Sequence, residues 1–135
     1  GVCRCGQTGC LETMAAGWAL AERWGEPWPA VRMLEAAGRG SATAAAEWER
    51  AIDALAHAVR MLVLTVDVGT VALGGGMREV GAPLLVGIRE RLADWALASP
   101  FLAALAIPSR VQMVPAGSQP AAVGAAIVGS SAWRS

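Results

Sequence analysis

The sequence predicts an α/β layered domain. Two short β-type runs, "TVAL" and "VQMVP", lie among longer segments with helical periodicity, and a glycine triplet stands between the first run and the helix after it. Helices alternating with short strands bury their apolar faces by stacking as layers on a sheet. A length of 135 residues suits one domain with a real core.

The elements follow in order from local pattern. Cys3 to Cys10 form a glycine-broken turn, and a helix is expected from about Leu11 to Trp24. A proline- and tryptophan-rich loop runs to about Pro29, and a short helix then ends at Gly38 to Gly40. The long helix is placed at about 43–66, where Trp48, Ile52, Leu55, Val59, Leu62, Val63 and Val66 recur at three- and four-residue steps. Asp53, His57 and Arg60 make its opposite, polar face. A strand at 70–73 leads into the glycine turn, and Val80, Leu84, Leu85, Ile88 and Leu92 give a helix at about 79–97. "SPFLAALAIPSR" reads as a connector, followed by a strand at 110–114 and a closing helix at about 120–132.

Composition excludes several function classes. Eleven basic side chains balance eleven acidic ones, so no net field would hold nucleic acid or an acidic membrane surface. The 55% hydrophobic content is largely alanine, and no run reaches the about 18 uninterrupted apolar residues of a membrane span. No secretory signal pattern is present, and the expected location is the cytoplasm. Gly1 stands where a methionine would start a chain and the cysteine motif begins at once, so a piece of a longer protein is expected.

All three cysteines, Cys3, Cys5 and Cys10, sit in "CRCGQTGC". An odd number cannot all pair within one chain, and Cys3 and Cys5 are too close for an easy bridge. Glycines at 6 and 9 let the backbone return, which converges three soft ligands on one point. Structural zinc takes four such ligands in a tetrahedron. One is missing. His57, the single histidine, lies on the polar helix face and is read as solvated, so a histidine upstream of Gly1 or from a partner is the expected fourth ligand. Three inert buried thiols are the bland alternative.

"CRCGQTGCLE" is similar to the zinc-motif signature of the ROK family of bacterial sugar kinases and sugar-responsive transcriptional repressors. The signature has the form C-x-C-G-x-x-G-C-x-E, and Cys3, Cys5, Gly6, Gly9, Cys10 and Glu12 match every fixed position. "LTVDVGTVALGGGM" resembles the family's strand and glycine turn beside the adenosine of the nucleotide. "RVQMVPAGSQPAAVGAAIVG" resembles its closing strand and helix. The likeness runs nearly end to end and covers about the second half of a family member.

The resemblance implies the C-terminal portion of an actin-like (ribonuclease H-like) α/β fold, with helices packed on a short mixed sheet and the N-terminal lobe lying outside this chain. It implies zinc on Cys3, Cys5 and Cys10, a hexose or amino-hexose held in part by Glu12, and a nucleotide against Gly74, Gly75 and Gly76. Glu12 is two residues past a metal-fixed cysteine, and its carboxylate can accept from two hydroxyls. The plain alternative is a glutamate favoured by the helix dipole. For the glycine triplet the plain alternative is a tight strand-to-helix turn.

"DVGT" at Asp67 to Thr70 imitates the first phosphate loop of actin-like kinases, but a long helix precedes it, and it reads as the turn from helix to strand. The tryptophans Trp18, Trp24, Trp28, Trp48, Trp95 and Trp133 read as core or interface packing rather than sugar platforms. Neither a Ser-His-Asp set nor a carboxylate pair can be assembled from the chain.

The expectation is therefore an ATP- and Mg²⁺-dependent hexose kinase, glucokinase-like, of which this chain alone is inactive. The alternatives are a sugar-sensing repressor, touching DNA only through a domain outside this chain, and a structural or dimerising zinc-stabilised module. A homo-oligomer without membrane attachment is expected.

Overall fold

The structure, a computed structural model, describes residues 1–26, 30–115, 117–118 and 120–132. Seven α-helices and two strands are present among them: α1 (Leu11–Ala15), α2 (Gly17–Trp24), α3 (Ala30–Gly38), α4 (Ala42–Val66), β1 (Val71–Leu73), α5 (Ala82–Leu97), α6 (Pro100–Leu105), β2 (Val111–Met113) and α7 (Pro120–Ala132). Two 3-10 helices, Gly76–Val80 and Ile107–Arg110, precede α5 and β2. The expected loop around Pro27, Trp28 and Pro29, and Trp133, lie outside the described residues. No described helix is long and apolar enough to cross a membrane.

The α/β architecture is present, but the described sheet is two parallel strands rather than a mixed one, pairing Val71 with Val111, Ala72 with Gln112 and Leu73 with Met113. The physical reason is the connection, because the crossover through α5 and α6 returns the chain in the same strand direction. Val114 N–H donates to the Leu73 carbonyl at 3.0 Å and extends the pairing past β2.

Helix α4 is the spine of the domain. Ser41 caps it, its hydroxyl accepting from Ala44 N–H at 3.3 Å. Its far end closes on Asp67 in the left-handed conformation, whose N–H donates to the Val63 carbonyl at 2.9 Å. Trp48, Ile52, Val59 and Val63 are buried as the periodicity predicts, and they join Leu20, Met33, Leu84, Ile88, Ile107 and Val111 in one core. Gly87 sets the approach of α5 to α4, since a Cβ there would lie 3.0 Å from Ile52 Cδ1.

Four expectations are corrected. Leu62 and Val66, placed on the apolar face of α4, are 45% and 66% exposed: Leu62 lines an open groove while its neighbour Val63 stays buried, and Val66 is the last residue of the helix. The helix expected from Leu11 to Trp24 is two helices, broken at Ala16, whose extended backbone (ψ 145°) ends α1 and starts α2. The helix expected at 79–97 begins at Ala82, because Gly81 at φ 74° separates it from the 3-10 turn. The connector "SPFLAALAIPSR" contains α6, capped by Ser99, whose hydroxyl accepts from Leu102 N–H at 3.3 Å.

Candidate functional site

The cysteine turn is a small closed hairpin. Val2 and Thr8 form an antiparallel bridge, Cys3 N–H donates to the Gln7 carbonyl at 2.7 Å, and Gly6 N–H donates to the Cys3 carbonyl at 2.9 Å. Gly6 and Gly9 take φ of 88° and 79°, values a side chain would strain, and so let the chain double back onto Cys10. Cys10 is the residue before α1, and the Thr13 hydroxyl and N–H both donate to its carbonyl, at 2.7 and 3.0 Å. The turn and the helix are thus one unit.

Local folding brings the three sulfurs together. The Sγ atoms of Cys3, Cys5 and Cys10 all lie within 4.8 Å of one another, with Cys5 and Cys10 at 3.6 Å. Sulfurs on a tetrahedral zinc at about 2.3 Å per bond stand roughly 3.8 Å apart, so the donor set fits that ion in chemistry and in spacing. Three cysteines this close could hold a metal ion, and no other group of three His, Cys, Asp or Glu side chains does so among the described residues.

The cluster is electrically uneven. Hydrogen bonding from the Gln7 backbone, and then from the Cys3 and Cys10 side chains, holds the Cys5 thiol below its ordinary value. Cys10, hydrogen-bonded to Cys5, is pushed up to about 11. Cys3 is buried, Cys10 is half-buried and Cys5 is exposed.

The end of α1 is held by an arginine. Arg23, in the last turn of α2, donates to the carbonyls of Thr13 and, at 3.0 Å, Met14, groups that the break at Ala16 leaves without helical partners. The same guanidinium pairs with Glu47 of α4, which is buried and also meets Arg50 at 3.4 Å. On the turn itself, the Arg4 guanidinium lies over the Trp18 ring, 4.7 Å from its centroid.

Glu12 lies in the first turn of α1 and is exposed; among the described residues its carboxylate has no hydrogen-bond or ion-pair partner. His57 is exposed, as read from the sequence, but it is not simply solvated. Its ring packs edge-on against Trp95 of α5 with centroids 4.3 Å apart, and its Nδ1 is 2.8 Å from the Asp53 carbonyl oxygen. It lies outside the thiol cluster. Asp53 and Arg60, its companions on the polar face, also engage α5, through Arg91 and Trp95 respectively. Beside the cysteine turn lies an open groove of about 740 Å³, lined by Gly9, Leu11, Met14, Ala58, Met61 and Leu62 among others.

Gly74, Gly75 and Gly76 lie where β1 runs into its 3-10 helix. Gly75 has φ 70° and ψ −166°, a region essentially restricted to glycine. Arg78 ties this turn to the loop after β2, donating to the carbonyls of Pro115 at 3.0 Å and Ser118 at 3.3 Å. The loops that follow β1 and β2 are thereby joined, at the carboxyl ends of the parallel strands, the end at which ligands bind in open α/β folds. The glycine turn packs by way of its 3-10 helix on α3 and α5, whereas α1 sits on α2 and α4.

"DVGT" is structural as read. Asp67 closes α4, and its carboxylate accepts from Arg110 at 2.8 Å while the same guanidinium nitrogen donates to the Val68 carbonyl at 3.0 Å. Sequence reasoning missed Arg23, Glu47 and Arg78. Arg23 and Arg78 act on backbone carbonyls outside their own helices, and the pairing of Glu47 with Arg23 spans 24 residues, so spacing carries no signal for these contacts.

The profile of the ROK family matches residues 1–131. The chain is 33% identical over 89 residues to an N-acetylmannosamine kinase of Haemophilus influenzae (strain PittGG), covering 62% of this chain and 30% of that protein. It is 34% identical over 89 residues to the N-acetylmannosamine kinase of Pasteurella multocida (strain Pm70), again covering 62% and 30%. With the N-acetyl-D-glucosamine kinase of Escherichia coli O157:H7 it shares 32% identity over 96 residues, 68% of this chain and 30% of that protein. The match thus spans less than a third of the length of these curated relatives. No solved structure matches the chain significantly.

Proposed function

The chain belongs to the ROK family, and from that premise we propose that it forms the C-terminal part of an ATP-dependent kinase of N-acetylated hexosamines. In this reading Cys3, Cys5 and Cys10 hold zinc, Glu12 accepts hydrogen bonds from sugar hydroxyls, and Gly74 to Gly76 lie against the nucleotide. The observation that carries it is the thiol cluster joined directly to α1, with Glu12 exposed and unengaged, in a chain similar to amino-sugar kinases.

The physical roles follow from position. Zinc would pin Cys10, the start of α1, while Arg23 clamps its end, so Glu12 would be presented from a helix fixed at both termini. A backbone free of side chains at 74–76 admits a flat ring closely, and Arg78 would keep the two walls of that opening together. ATP and Mg²⁺ supply the phosphoryl group and neutralise its charge, so positioning is most of what the protein adds. The base for the sugar hydroxyl and the first phosphate loop belong to an N-terminal lobe outside this chain, completing an actin-like fold. Exposed apolar side chains on α4 (Met61, Leu62, Leu64, Val66) and α7 (Val123, Ile127) support a further body of protein over this one.

The test is phosphoryl transfer by the longer protein containing this chain, supplied with ATP, Mg²⁺ and, in turn, N-acetylmannosamine, N-acetylglucosamine and glucose. Turnover with an N-acetylated sugar and little with glucose is the expected result. Sugar binding without transfer would contradict the kinase reading and favour a sugar-sensing repressor.

A further inference from the structure

We infer that Cys5 and Cys10 form a reversible dithiol–disulfide pair whose oxidation dismantles the metal site. Their sulfurs are 3.6 Å apart and hydrogen-bonded to one another, with Cys5 exposed and Cys10 half-buried, whereas Cys3 is buried. An oxidant in solution therefore reaches this pair first. A disulfide bond of about 2 Å asks the two sulfurs to close by roughly 1.5 Å, a distance side-chain torsions can supply. The segment between them contains Gly6 and Gly9, both already in the left-handed conformation, so the backbone can follow. The hydrogen bonds that hold the hairpin shut, Cys3 to Gln7 and Gly6 to Cys3, do not pass through Cys10 and would survive the change.

The chemistry balances with a peroxide as the named oxidant. One thiolate attacks a peroxide oxygen, breaking the O–O bond; it becomes a sulfenic acid, and the departing hydroxide takes up a proton to leave as water. The second sulfur then displaces hydroxide from the sulfenic sulfur, giving the disulfide and a second water. Two thiols and one hydrogen peroxide yield one disulfide and two waters. A dithiol reductant reverses the state by exchange. Oxidation consumes two of the three soft donors and leaves Cys3 alone, and because Cys10 starts α1, the same bond acts on the helix that carries Glu12. The loss of metal rests on reading the thiols as zinc ligands; the disulfide itself does not.

The experiment uses the whole chain, first stripped of metal with a chelator and then treated with stoichiometric hydrogen peroxide. The expected product has lost two hydrogens, shows a Cys5–Cys10 link in its peptide map, and keeps one alkylatable thiol of three, at Cys3. Dithiothreitol should restore all three. A Cys3→Ser chain, which keeps the pair, should form the same link. Three thiols still alkylatable, a link through Cys3, or only intermolecular bonds would overturn the inference. Zinc is then offered to both forms: uptake by the reduced chain and none by the oxidised chain is expected, and equal uptake by both overturns the switch. A reduced chain that takes up no zinc overturns the switch in this chain, while the peptide map still decides the disulfide and zinc content of the longer protein decides the metal assignment.

Discussion

Arg23 on α2 donates from Nε to the Glu47 carboxylate on α4 at 2.5 Å, and its other nitrogens hold the carbonyls of Thr13 and Met14 at the end of α1. One side chain thus locks three helices and fixes the element that follows the cysteine turn. Arg23→Ala leaves Glu47 buried with only Arg50 beside it and frees two carbonyls. Loss of hydrogen bonds to a charged group of this kind costs about 1.5–3 kcal/mol. Urea unfolding should report a drop of that size; an unchanged midpoint would show the clamp to be ornamental.

Glu12 offers the cleanest separation of function from stability. Its carboxylate is exposed and unpaired among the described residues, so Glu12→Gln should leave the melting temperature of the longer protein where it was. Sugar affinity should nevertheless fall by about 1.5–3 kcal/mol, tenfold or more in Kd, as for one charged hydrogen bond. Calorimetric titration measures it, and an unaltered Kd would remove Glu12 from the sugar site.

The glycine turn gives a paired test. Gly75 occupies backbone space closed to other residues, so Gly75→Ala should cost about 1–3 kcal/mol of stability even though a Cβ would meet nothing within 4 Å. Gly76 has neither a positive φ nor a crowded Cβ, and Gly76→Ala should fold normally. Weaker ATP binding by the Gly76→Ala form of the longer protein is then evidence of contact with the nucleotide. Normal binding would leave the triplet a plain turn.

His57 tests the ligand set from the other side. His57→Ala should keep its metal and lose about 0.5–1.5 kcal/mol, the typical worth of an aromatic pair, through the missing contact with Trp95. Metal loss in this variant, read by elemental analysis, would mean the histidine had been placed wrongly.

Much of this was legible in the sequence because it is local. The spacing of Cys3, Cys5 and Cys10 with two glycines predicts convergence, and the structure brings the three sulfurs together. The α4 stripe predicts Trp48, Ile52, Val59 and Val63 as core, and they are buried. What periodicity could not show was which positions of the stripe meet a neighbour: Val63 is buried, yet Leu62 faces an open groove and Val66, at the helix end, is two-thirds exposed. The break at Ala16 was hidden because alanine is a good helix former, and the carbonyls it exposes are taken by Arg23 from the next helix. The polar face of α4 looked solvated only because its partners, Arg91 and Trp95, stand some 40 residues further along. Glu47, a charged residue in a core, was legible only once its cation was in view.

The most direct test of the zinc site is zinc per chain, measured by elemental analysis on the longer protein containing this chain, purified without chelator and without a histidine tag, alongside its Cys10→Ser variant. The account predicts a ratio near one for the natural sequence, metal loss and a lower melting temperature for the variant, because metal binding and folding are linked. A ratio near zero for the natural sequence, or equal melting curves for the two, would contradict it.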